Sequence, residues 1–165
     1  MKTITIEIPD GKKAEWVNGV LTLVDDKPQE PNEQIPTFAD AIRFLGFGEF
    51  DNEDYLSYMQ GFPVPILVND EDIIRKINAY AKLITIATAW NKIDGFVAYW
   101  ENTSQYKYFP LFEYSRDAAG FVCVSTTCAT TTVDAGIDSR LCFKTSERAK
   151  QFGEQFIDLW NDLLR

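Results

Sequence analysis

The chain has 165 residues, of which 45% are apolar and 25% charged, with a net charge of −9 and no histidine. This composition excludes a disordered or fibrous chain, and the length suits one domain over 1–165 that buries roughly 70% of its unfolded surface. No stretch reaches the roughly 18 consecutive apolar residues of a membrane span, and Met1 to Lys13 alternates rather than forming a hydrophobic signal core. The expectation is a cytoplasmic protein with no membrane partner.

The charge is unevenly placed. Between Asp26 and Asp72 stand eleven acids against Lys27 and Arg43, so this segment carries the whole imbalance, while the remainder balances fourteen acids with fourteen bases. Direct binding to a nucleic-acid phosphate backbone is excluded, because that needs clustered Lys and Arg. A solvated acidic surface, or an acidic face that docks a basic protein, fits the distribution.

In chain order, Lys2 to Ile8 alternates with Ile4, Ile6 and Ile8 on one face and reads as a half-buried strand. Pro9-Asp10-Gly11 turns the chain. Ala14 to Val17 and Val20 to Val24 follow, joined at Asn18-Gly19, a dipeptide that tolerates the positive angles of a type I′ turn. A three-stranded antiparallel meander is predicted. Asp25 to Pro36 holds three prolines and reads as a connector. Thr37 caps a short helix to about Leu45, with Phe38, Ala41, Ile42 and Leu45 facing inward, and Asp51 to Gln60 is a second short helix candidate. Gly61 to Pro65 must be non-helical.

The central element is a helix from Asn69 to Asn91. Between Ile77 and Trp90 it carries one charge, Lys82. Ile73, Ile74, Ile77, Tyr80, Ile84, Ala87 and Trp90 recur at helical spacing, and Leu83 and Ile86 widen the stripe, which predicts a buried helix. Asn69 is its expected N-cap, and Asp94-Gly95 stops it. Beyond it, Phe96 to Trp100, Tyr106 to Tyr114 and Phe121 to Thr127 read as strands, Thr130 to Asp138 as a loop and Arg140 to Phe143 as a short final strand. Thr145 then caps a last helix with a stripe of Ala149, Phe152, Phe156, Ile157, Trp160, Leu163 and Leu164. The predicted fold class is therefore α+β: the meander, a central buried helix with short helices before it, and a C-terminal antiparallel sheet closed by an amphipathic helix.

The absence of histidine removes Ser-His-Asp and Cys-His nucleophiles, HExxH zinc sites and His acid/base catalysis. Catalysis would rest on carboxylates, Lys, Tyr or Cys. Cys123, Cys128 and Cys142 supply three thiols where a zinc site wants four ligands, so they read as small buried strand residues, reduced in the cytoplasm, and neither metal nor cofactor is expected. One constellation offers a surface. Tyr106, Tyr108, Phe112 and Tyr114 share a face of an extended segment, Tyr99 and Trp100 end the strand before it, and Arg140 is a charged neighbour. Such rings anchor sugars, peptides or proteins, or else form core beneath the last helix. Pro110 marks an edge strand, since it cannot donate to a neighbour's ladder.

Three stretches carry a family resemblance: Ile6 to Trp16, Lys107 to Phe112, and Ser139 to Thr145 with the following Ala149, Phe152, Gln155 and Phe156. The chain resembles small uncharacterised proteins encoded by prophages and mobile elements of gut anaerobes. The resemblance implies phage-related biology, with a cytoplasmic or virion-associated location, and brings no catalytic residue with it. The combined expectation is a non-catalytic binding or assembly protein with a protein partner. The alternatives are a small-ligand or carbohydrate binder using the aromatic face, and a histidine-independent enzyme using carboxylates. Oligomeric state is left open by the residues.

Overall fold

The computed structural model describes residues 7–17, 19–25, 30–46, 71–130 and 140–165, in a mixture of helix and antiparallel strand that is an α+β arrangement. Two compact units are present, Met1–Glu30 and Pro31–Arg165.

The first unit is a hairpin. Strands β1 (Lys12–Val17) and β2 (Val20–Asp25) pair antiparallel from Lys12↔Asp25 to Val17↔Val20, around a two-residue connection in which Gly19 takes φ 79°. Ahead of it, the turn at Pro9 is closed by the Lys12 N–H donating to the Pro9 carbonyl at 3.1 Å. Among the described residues the sheet has two strands: Glu7 to Pro9 forms no strand, and residues 2–6 of the expected first strand lie outside the described residues, so the third strand of the predicted meander is not seen.

The second unit opens with a helical turn, α1 (Pro31–Gln34), inside the expected connector, with Pro31 and Ile35 buried. Helix α2 (Phe38–Leu45) follows. Thr37 Oγ1 accepts from the Asp40 N–H at 3.2 Å at its start, and Gly46 takes φ 81° at its end, so both caps are where the residue types place them. The expected helix at Asp51 to Gln60, the segment Gly61 to Pro65 and the N-cap Asn69 lie outside the described residues.

Helix α3 (Glu71–Ile93) is the longest element among the described residues. Asp72 in its first turn bonds Lys76 at 2.6 Å and Arg75 at 2.5 Å, and the Lys76 bond first of all holds its carboxyl below the ordinary Asp range. At the other end the Phe96 N–H donates to Asn91 O at 2.8 Å and the Gly95 N–H to Lys92 O at 3.3 Å, with Gly95 at φ 59°. These are the paired bonds of a Schellman stop, and glycine meets the left-handed angle without strain.

The buried face of α3 keeps Leu83, Ile86, Ala87 and Trp90 of the predicted stripe and loses its N-terminal isoleucines. Leu83, Ile86, Ala87, Ala89 and Trp90 are fully buried, whereas Ile73 and Ile77 are 40% and 41% exposed and Ile84 is only partly buried. Ala79 and Ala89 are buried with Leu83 and Trp90, and the bulky isoleucines of the first turns, Ile73 and Ile77, reach solvent.

Strands β3 (Lys107–Ser115) and β4 (Gly120–Ala129) pair antiparallel, with a register shift after Leu111↔Ser125 that leaves Val124 as an extra residue before Phe112↔Cys123. Tyr108 turns its N–H and carbonyl away from β4 to Phe143, at 3.0 and 2.9 Å. By the period of two, the nitrogen of Pro110 faces the same outer edge, so its missing proton costs no ladder bond. Two expected strands are absent. Phe96 to Trp100 is irregular because a side chain, Gln105, occupies its backbone groups; Arg140 to Phe143 contributes one isolated bridge, Tyr108↔Phe143.

The expected last helix is broken at Phe156 (φ −108°, ψ 31°) into α4 (Ser146–Gln155), capped by Thr145, and α5 (Ile157–Leu164). Both pack on the β3–β4 sheet, and α5 also packs along α3. Gly153 permits a close approach: a Cβ there would stand 2.6 Å from Cys123 Sγ and 2.8 Å from Pro110 Cβ. Asn161 on α5 clamps the start of β4, with its amide accepting from the Phe121 N–H at 2.7 Å and donating to the Phe121 carbonyl at 3.0 Å. Among the described residues no helix is long and apolar enough to cross a membrane.

Two stability tests follow from this packing. Leu83→Ala should cost about 2–5 kcal/mol in urea melts and Ile77→Ala under about 1 kcal/mol; an Ile77→Ala cost as large as that of Leu83→Ala would put the Ile73–Ile77 side in the core. Gly153→Ala gains about 1 kcal/mol of helix propensity, yet overpacking of about 1–3 kcal/mol against Pro110 outweighs it, so the variant should melt lower than wild type.

Candidate functional site

Eight residues enclose an open groove of about 470 Å³ between the irregular segment after α3 and the start of β3. Tyr99, Tyr106 and Tyr108 form its aromatic walls, with Val97, Gln105 and Lys144 beside them. Tyr99 and Tyr106 are 60% and 56% exposed, while Tyr108 is half-buried and leans on the core. The rings of Tyr106 and Tyr108 lie 6.3 Å apart at 34°.

Local chemistry holds these walls. Gln105 donates its amide N–H to Val97 O at 2.9 Å and accepts from the Tyr99 N–H at 2.8 Å, so one side chain stands in for a neighbouring strand. The turn between is closed by the Asn102 N–H to Tyr99 O at 3.1 Å and the Gln105 N–H to Asn102 O at 3.2 Å. Lys107 is fully buried behind it, donating to Asn102 O at 3.2 Å and Thr130 O at 3.0 Å, with its ammonium 5.1 Å from the Trp100 ring centre. Two carbonyl dipoles and a ring face thereby solvate a buried cation where no carboxylate is in contact among the described residues. Lys144 donates to Asp94 O at 3.2 Å at the groove's rim. The Asp94 carboxylate itself is forked onto Arg148, at 2.8 and 3.1 Å.

Of the seven residues predicted for binding, three meet in this groove: Tyr99, Tyr106 and Tyr108. Trp100 lines an adjoining hollow with Glu101 and packs on Phe96, Phe109 and Cys142. Phe112 belongs to the core under the last helix, its ring 4.6 Å from Trp160. Tyr114 is 59% exposed and pairs edge-on with Phe121, but eight residues of extended chain, roughly 25 Å, separate it from Tyr106. Arg140 turns to Tyr80 on α3, bonding its hydroxyl at 2.8 Å and covering its ring at 5.5 Å. Sequence reasoning missed Gln105 and Lys144. A polar residue one step from an aromatic strand carries no signal of its own until the chain folds back onto it.

Among the described residues no cluster of three or more His, Cys, Asp or Glu could hold a metal ion. The thiols occupy three environments: Cys142 is buried, Cys123 half-buried against α4 and Cys128 exposed, so burial of all three is not what the strands impose. Burial, aided by the Glu154 charge, pushes the Cys123 thiol above its ordinary value. A raised acid pKa favours the folded protein below the unfolded thiol's pKa, and that stability is lost as pH rises through the folded value. Alkylation at pH 8 should accordingly label Cys128 first, and Cys123→Ala should flatten the loss of stability above about pH 9. Uniform labelling of all three thiols in the folded protein would contradict this arrangement.

Compared with protein-family models, curated proteins and solved structures, the chain matches none.

Proposed function

We propose that the protein is a non-catalytic binding or assembly protein of a prophage or mobile element, and that it meets its protein partner through the groove walled by Tyr99, Tyr106 and Tyr108. The single observation that carries the reading is the exposure of Tyr99 and Tyr106 side by side in an open groove. Exposed tyrosines present large, rigid contact area at low entropic cost, and a folded chain gains nothing by leaving them in water. No carboxylate lines the groove among the described residues, which weighs against acid/base chemistry there. The mobile-element setting rests on the resemblance of the N-terminal hairpin and the two C-terminal stretches.

The carbohydrate alternative draws on the same rings. Sugar recognition asks for side-chain amides or acids beside the aromatic face, and the groove's one amide, Gln105, is spent on the backbone of Val97 and Tyr99. A protein partner makes fewer such demands.

Affinity purification from cells that carry the gene tests the proposal. Wild type should retain a specific protein, and the Tyr99→Ala/Tyr106→Ala double variant should recover at least about tenfold less of it at an unchanged melting temperature. Equal recovery with both baits, or unfolding of the variant, sinks the reading.

A further inference from the structure

We propose that the groove takes an extended, proline-rich segment of the partner, with an acidic residue of that segment meeting Lys144. This inference rests on the binding reading above and names the chemistry of the partner.

Backbone availability selects the mode of recognition. Strand addition needs free N–H and C=O groups on a wall, and on two of the three tyrosine walls these are taken: the Tyr99 N–H by Gln105 and its carbonyl by the Asn102 N–H, and both backbone groups of Tyr108 by Phe143, with Val97 O also held by Gln105. A ligand is therefore held by side-chain faces. Polyproline II segments are recognised this way, because they carry no internal ladder, lose little entropy on binding and seat their rings against aromatic walls. An amphipathic helix would need a broad aliphatic floor, whereas Val97 is the only exposed aliphatic side chain among the groove's described lining.

Charge then sets the flank. Among the described lining residues Lys144 is the only formal charge, its ammonium sits on a carbonyl rather than a carboxylate, and nearby Asp94 is neutralised by Arg148. The described lining thus carries one positive charge and no negative one, on a chain of net charge −9. A basic flank would be repelled there. A single strand of nucleic acid could stack on tyrosines, yet one lysine on so acidic a protein offers too little phosphate neutralisation.

The test uses fluorescence anisotropy with the full chain and a labelled ten-residue peptide that holds five prolines and ends in two aspartates. Binding should saturate below about 1 mM, and alanine in place of the prolines should weaken it about tenfold. Tyr99→Ala and Tyr106→Ala should each weaken it about tenfold, with folding checked by circular dichroism, while Tyr106→Phe retains most of it. Lys144→Glu should abolish the preference for aspartate ends over lysine ends and keep the preference for proline. Failure to saturate, equal binding of the alanine peptide, or tighter binding of a ten-nucleotide oligothymidylate or a hexasaccharide overturns the proposal. If the peptide fails while the double variant still loses its co-purifying protein, the ligand class is wrong and the groove stands; if neither is seen, both fall.

Discussion

One indole organises the larger unit. Trp90 is fully buried near the end of α3, with the rings of Phe152, Phe156 and Phe143 edge-on around it at 5.3, 5.7 and 6.3 Å. Edge-to-face geometry sets the positive rim of one ring against the negative face of another, so the cluster gains more than its buried area alone. Its one polar atom is satisfied far along the chain, by Nε1–H donating to Ile35 O at 3.2 Å. A single side chain thereby ties α3 to the turn after α1, to the bridge residue Phe143, to α4 and to the break residue Phe156.

The same helix end also carries the electrostatics. Asp94 follows Trp90 by four residues, and Arg148 reaches it from α4 while its guanidinium covers the Trp90 ring at 5.8 Å. Both charges are largely shielded from water, so their forked geometry matters more than it would on the surface, where such pairs contribute little. Asn91, one turn back from Gly95, donates to Cys142 O at 2.8 Å. Where α3 stops, then, three side chains anchor the C-terminal segment, and the Schellman turn sends Phe96 into the smaller core.

That stop is what makes the groove. The chain leaves Gly95 extended but unpaired by any strand, and Gln105 returns six residues beyond Tyr99 to take up its backbone bonds. Lys107 then fastens the turn from behind. The backbone that carries the tyrosines is thus held by polar groups within the fold.

Much of this was legible in the residues. Thr37, Gly95 and Thr145 act within one turn of their own position, so these caps and the stop could be read directly, as could the two-residue connection at Gly19 and the β3–β4 pair. The sequence by itself determined an α+β chain with a long central helix and aromatic strands, because local periodicity and capping are short-range effects. Which face of α3 is buried, that Phe112 is core while Tyr106 is surface, and that Phe96 to Trp100 never becomes a strand were decided by tertiary structure alone. Each depends on what arrives from elsewhere in the chain: the rings of Phe143, Phe152 and Phe156 around Trp90, the ring of Trp160, and the amide of Gln105. A period of two or of 3.6 specifies that a side chain has a face, and only the packing partner specifies what covers it.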